Sequence, residues 1–169
     1  MNKLYIFCGI PFSGKTTIAK ELEKAKGFKR IDLDEIKFSI FGNNIEDEQV
    51  DKDGWDKVYK NMYKEIEDNL KEGKTVVNDT GNFTKNERSL VKNIADRLGV
   101  ETVEVFIDTP VEVARQRWME NKKTIKRFDV SDKDMNLSIN EMEPPLGKEV
   151  ITYKYPQPIN RWIANNFQD

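Results

Sequence analysis

The sequence predicts an α/β protein built on a parallel sheet, and three observations carry that prediction. Short apolar, β-rich runs alternate with longer amphipathic stretches, the pattern of strands each followed by a covering helix. The first run, Leu4-Tyr5-Ile6-Phe7-Cys8, is apolar at every position, as expected of a strand covered on both faces. A glycine-containing segment follows it directly and opens a helical pattern, the order of a strand–loop–helix unit.

Taken in order, the helix after the first strand runs from about Lys15 to Ala25 and ends at Lys26-Gly27. Gly27 is suited to a left-handed cap. Lys29-Arg30-Ile31-Asp32 reads as a short strand, followed by a short helix through Ile40. Residues 42–54 are polar and acidic without periodicity and read as a surface loop. From Trp55 the apolar residues Val58, Tyr59, Met62, Tyr63, Ile66 and Leu70 fall on one helical face that ends at Gly73. Thr75-Val76-Val77-Asn78 is the next strand, Glu87 to Leu98 the next helix, and Gly99 its stop. Val103 to Ile107 is a strand, and Pro110 begins a helix where proline is tolerated. Residues 121–134 are charged and poor in apolar groups, and a strand at Val150–Tyr153 and a helix from Pro158 to Asn166 close the chain. Five parallel strands between helices make a three-layer arrangement over residues 1–169, with no repeat or interdomain linker.

Composition narrows the chemistry. Of 169 residues, 37% are apolar and 34% charged, and the formal charge is -2. That charge supplies no overall basic field for nucleic acid. No histidine is present, which removes histidine general bases and ligands, and with a single cysteine, Cys8, a structural zinc site is excluded. Cys8 lies in an apolar run and reads as a small core residue in a reducing, cytoplasmic protein. No apolar stretch approaches the roughly 18 residues of a membrane span.

Gly9-Ile10-Pro11-Phe12-Ser13-Gly14-Lys15-Thr16 matches G-x-x-x-x-G-K-[ST] at every position, and Thr17 follows it. This is a P-loop. Its glycines let the backbone approach phosphates, and successive N–H groups at a helix start face the anion. Lys15 would neutralise the β and γ phosphates of ATP, and the Thr16 hydroxyl would ligate Mg²⁺. No Asn-Lys-x-Asp run of the guanine-reading kind is present, so ATP is the expected nucleotide.

Further residues point to phosphoryl transfer. Asp34, just beyond the second strand, is placed to take a proton from an acceptor hydroxyl, although Asp32 or Asp34 would also cap the next helix. Asn78-Asp79-Thr80-Gly81-Asn82 follows a core strand. Asp79 there suits magnesium coordination or an Asx turn. Arg115, Arg117, Lys122, Lys123, Lys126 and Arg127 cluster after the Pro110 helix begins. They suit either a mobile flap over the triphosphate or a solvated face, with Arg117 the foremost phosphate contact.

These residues together resemble the P-loop kinases related to phage polynucleotide 5′-kinase, a group similar also to zeta toxins and chloramphenicol phosphotransferase. The shared features are the P-loop, Asp34-Glu35-Ile36-Lys37, Asn78-Asp79-Thr80-Gly81-Asn82, Asp108-Thr109-Pro110 and the arginine-bearing helix, then Glu143-Pro144-Pro145 and Glu149. The resemblance implies a P-loop NTPase fold with a small helical lid at about 118–135. It also implies an ATP- and Mg²⁺-dependent kinase whose acceptor is the hydroxyl of a nucleic-acid 5′ end or a small metabolite. It assigns Asp34 as general base, Lys37 as a contact to the acceptor's phosphate (an arginine in the family), Asp79 as a site carboxylate and Arg117 as a lid cation near the donor phosphates. A nucleotide-dependent regulatory module that hydrolyses ATP slowly is the alternative expectation.

Overall fold

In the computed structural model, which describes residues 1–167, five strands form one parallel sheet in the order β2-β3-β1-β4-β5. The strands are β1 (Lys3–Cys8), β2 (Lys29–Asp32), β3 (Val76–Asp79), β4 (Glu101–Asp108) and β5 (Ile151–Lys154). The helices are α1 (Lys15–Lys26), α2 (Leu33–Phe41), α3 (Lys52–Lys71), α4 (Lys85–Leu98), α5 (Val111–Thr124), α6 (Asp132–Glu141) and α7 (Ile159–Asn166).

The strictly apolar β1 is explained by its central place, because both its faces are covered. Leu4 and Ile6 point to a core shared with Val58, Met62, Ile66 and Leu70 of α3 and Val91, Ile94 and Ala95 of α4. Tyr5 and Phe7, the alternate positions, meet Ile18, Ala19 and Leu22 of α1 and Trp162 and Ile163 of α7. Cys8 is fully buried, and burial pushes its thiol up to about 12, so it is an inert core residue. A third apolar cluster joins Ile10 and Phe12 of the P-loop to Ala114 and Trp118 of α5 and Met135 of α6.

Helix ends follow local chemistry. Gly27 and Gly99 take left-handed conformations, φ 68° and 67°, beyond α1 and α4. Thr84 and Glu87 form a reciprocal capping box at the start of α4. The stretch 42–54 corrects the loop expectation, because a 3-10 turn occupies Asp47–Gln49 and α3 begins at Lys52. Asp51 caps α3 by accepting from the Gly54 N–H at 2.8 Å. A Cβ on Gly54 would meet Val50 Cγ1 at 2.8 Å. Cap chemistry and close packing start this helix a turn before its apolar stripe, so periodicity alone places its start too late.

All strands being parallel, their carboxyl ends share one edge, where the loops after β1, β2, β3 and β4 converge. Asp32 is the register partner of Asp79 there. No helix among the described residues is long and apolar enough to cross a membrane.

Candidate active site

The P-loop is shaped by close approach and by its neighbours. Gly9 has φ 155°, and a Cβ on it would lie 2.9 Å from the Ile107 carbonyl oxygen of β4. Gly14 has φ 108° immediately before α1. Phe12 takes φ 62° although it is not glycine, a conformation that costs a bulky residue about 1–3 kcal/mol. Its buried ring packs in the third apolar cluster, with the Arg127 guanidinium 4.1 Å above the ring centroid. Packing thus holds a loop conformation that the local sequence disfavours.

Two side chains from beyond β4 fasten the loop. Thr109 Oγ1 donates to the Ser13 carbonyl at 2.7 Å. Arg117 Nη1 donates to the carbonyls of Phe12 and Ser13 at 3.1 and 3.2 Å. Lys15 Nζ donates to the carbonyls of Gly9 and Ile10 at 2.6 and 2.8 Å. Desolvation lowers the Lys15 ammonium to about 8, against the opposing pull of Asp79. The buried Ser13 hydroxyl oxygen has no hydrogen-bond partner among the described residues.

Asp79 ends β3 opposite the loop and is almost wholly buried. Thr16 Oγ1 donates to its Oδ1 at 3.3 Å, and Arg30 Nη1 donates to its Oδ2 at 3.1 Å. Burial first, and then the neighbouring Asp32, raise the Asp79 carboxyl to about 6, while Lys15 and Arg30 pull it down. The Thr16 hydroxyl and the Asp79 carboxylate are hard oxygen donors side by side, the sparse set that suits Mg²⁺ shared with substrate phosphates. No group of three or more His, Cys, Asp or Glu among the described residues forms an all-protein metal cage.

The rest of the loop after β3 is pinned to β1. The Gly9 N–H donates to the Gly81 carbonyl at 3.3 Å. Asn82, at φ 47°, donates through Nδ2 to the Phe7 carbonyl at 2.7 Å and to Asn78 Oδ1 at 2.9 Å. Buried Arg88 reaches the Asn82 and Phe83 carbonyls and Glu104. Glu143 accepts from the Lys85 N–H at 2.7 Å, and its own N–H donates to the Phe83 carbonyl at 2.8 Å.

At the start of α2 the two aspartates divide their duties. Asp32 is the helix cap, with Oδ1 accepting from the N–H groups of Asp34 and Glu35 at 2.8 and 3.2 Å. Asp34 pairs with Lys37, whose Nζ lies 3.6 Å from Oδ1, and also feels the charge of Arg127. Desolvation raises the Asp34 carboxyl above its ordinary value, while Lys37 opposes the shift.

Lys37 is placed differently from its expected role at an acceptor phosphate. Its side chain is fully buried, and Nζ is bonded to Asp47. The ammonium lies 3.9 Å from the Phe128 ring centroid and 4.6 Å from that of Phe38.

The cation-rich region is also divided. Arg117 and Arg127 face the P-loop, whereas Arg115 bonds Asn136 at 2.8 Å and Lys122 bonds Asp129 at 3.2 Å. A cavity of about 300 Å³ lies beside the loop, lined by Ser13, Gly14, Thr17, Arg117, Tyr153 and Ile159 among others. Sequence reasoning missed Arg30 and the turn at Phe12, and it named Asn82 and Thr109 within their motifs without assigning them a role. Arg30 left no distinctive local signal, since Lys29-Arg30-Ile31-Asp32 is charged at three of its four positions.

Comparison with known proteins supports the fold. A candidate kinase from Chloroflexus aurantiacus J-10-fl superposes with TM-score 0.76 at 19% identity, covering 99% of each chain. The APS kinase CysC of Mycobacterium tuberculosis, solved with AMPPNP and APS, gives 0.70 at 16% identity over 97% of this chain and 94% of that one. A gluconokinase from Sinorhizobium meliloti 1021 gives 0.62 at 16% identity over 95% and 87%. At these identities the likeness is one of fold, the P-loop kinase-like fold. None of the curated protein sequences compared with the chain matches it. The family model described as AAA domain matches residues 4–145. With that match spanning the P-loop, both aspartate-bearing loops and the arginine helix, the chain belongs to the AAA domain family.

Proposed function

We propose that this protein is an ATP-dependent kinase that transfers the γ-phosphate to an alcohol hydroxyl. The observation that carries the reading is the release of Asp34 from capping duty. Asp32 satisfies the α2 amides, so the half-exposed Asp34 carboxylate has no capping task, and its ion-pair partner is Lys37 at 3.6 Å. A raised carboxyl at the carboxyl edge of the sheet is suited to take a hydroxyl proton as the oxygen attacks phosphorus. A phosphate acceptor would need no such base.

In this reading the P-loop amides and Lys15 hold the triphosphate, with Gly9, Pro11, Ser13, Gly14 and Thr17 shaping the cradle. The unpartnered Ser13 hydroxyl is a ready donor at that cradle. Thr16 and Asp79 would hold Mg²⁺, which would supply charge neutralisation on the phosphates. Arg117 and Arg127 sit on the α5–α6 segment, which acts as a lid, and the cavity flanked by Thr17, Arg117, Tyr153 and Ile159 takes the nucleoside. The new oxygen–phosphorus bond forms as the β–γ bridge breaks. Asp34 keeps the proton, and ADP leaves. The acceptor is the hydroxyl of a nucleic-acid 5′ end or of a small metabolite, and the pairing of buried Lys37 with Asp47 supports the small metabolite.

The test is transfer from γ-labelled ATP to a panel of 5′-hydroxyl oligonucleotides, nucleosides, sugars and aminoglycosides, with wild type and Asp34→Asn. The variant is expected to bind ATP normally and to transfer phosphate about 10²- to 10⁴-fold more slowly. Undiminished transfer removes Asp34 as base. Slow phosphate release with no labelled acceptor supports the regulatory module instead.

A further inference from the structure

We infer that Arg30 is a positioning residue that sets the magnesium-side carboxylate of β3 and the base-bearing helix α2 in one fixed relation. The inference rests on the phosphotransfer reading for the roles of those two elements, and on geometry for the rest. Arg30 lies in β2 with its side chain 6% exposed. Nη1 donates to Asp32 Oδ2 at 2.7 Å and to Asp79 Oδ2 at 3.1 Å, and Nη2 bonds Glu35. Nε lies 3.8 Å from Glu23 of α1.

Each aspartate therefore gives one oxygen to Arg30 and the other to the site. Asp79 Oδ1 meets Thr16, and Asp32 Oδ1 caps the helix whose first turn carries Asp34. The result is one continuous chain of contacts: Thr16, Asp79, Arg30, Asp32, α2. Its necessity follows from the sheet register. Asp32 and Asp79 are partners on adjacent strands, whose backbones lie about 4.8 Å apart. Two carboxylates so close repel, and without a cation between them one would turn away or take up a proton.

Stability alone is a poor reason for this arrangement. A buried ion cluster is often no more stable than apolar residues of similar volume. A guanidinium forks to several acceptors in fixed directions, whereas an ammonium is a point charge. Arginine at position 30 therefore specifies where both carboxylates sit, beyond neutralising them.

The experiment is binding of a fluorescent ATP analogue to wild type, Arg30→Lys and Arg30→Met, in EDTA and across a Mg²⁺ titration, with thermal melting of each protein. Arg30→Lys keeps the charge and guards against the chance that Arg30→Met does not fold. The expected result is that Arg30→Lys binds the analogue in EDTA as wild type does, yet requires about 10-fold or more Mg²⁺ for the same tightening. An unchanged Mg²⁺ midpoint overturns the assignment. So does an equal loss with and without Mg²⁺ alongside a lowered melting temperature, or failure of both variants to fold, since each makes Arg30 a structural strut. Binding requires no acceptor, so an absence of phosphotransfer would count against the kinase reading and leave this result legible.

Discussion

Asp79 is a buried carboxylate on which Thr16, Arg30, Lys15 and Asp32 all act. Burial and Asp32 raise its carboxyl from 3.8 to about 6, so the folded protein holds this proton more tightly than the unfolded chain does. The sign follows from linkage. The contribution to stability is fully present below about pH 4 and is lost as pH rises through about 6. Asp79→Asn removes the titration. Thermal melting of both proteins in EDTA between pH 4.5 and 7.5 should show wild type losing stability relative to the variant as pH rises. Parallel profiles would mean that Arg30 and Lys15 already compensate the charge in full. The same scale shows where reading residues one by one stops. Asp32 and Asp34 are equivalent as helix caps on paper, and the geometry of α2 gives the cap to Asp32. Lys37 reads as an acceptor contact until Asp47, ten positions on, is seen to occupy it.

At the scale of elements, the α5–α6 segment is held by few and specific contacts. Asn121 is buried, and it braces the turn beyond α5 by donating to the Arg127 carbonyl at 3.0 Å and accepting from the Arg127 N–H at 3.1 Å. Trp118 Nε1 donates to the Val130 carbonyl at 2.9 Å. Phe128 packs edge-on against Phe38 of α2, with centroids 5.3 Å apart. Asn121→Ala removes both hydrogen bonds to the Arg127 backbone, a cost of about 0.5–1.5 kcal/mol each. Hydrogen exchange should therefore quicken across residues 125–131 while β1 and β3 amides keep their protection. Equal protection in that segment would show that Trp118 and Phe128 suffice to hold it. A helical segment here was legible as α5 from Pro110 and, beyond it, only through the lid that the family resemblance implies. Its docking was not, because Phe12, Phe38 and Phe128 come from three separate stretches of chain.

For the molecule as a whole, stability resides in two apolar layers on either face of the sheet. Ile66 of α3 is wholly buried among Leu4, Val76 and Val91, so Ile66→Ala should cost about 2–5 kcal/mol. Denaturant unfolding should show that loss as a lower midpoint with an unchanged slope. A loss below 1 kcal/mol would mean that α3 collapses readily onto the sheet. The strands, most helices and the P-loop were set by the sequence alone, because hydrophobic period, glycine stops and the spacing G-x-x-x-x-G-K-T act over a few residues. The tertiary structure alone decided the strand order, the partnership of Asp32 with Asp79 through Arg30, the burial of Lys37 and the strained turn at Phe12. Each of these depends on packing and charge between residues far apart in the chain, where burial energies of several kcal/mol override local preference.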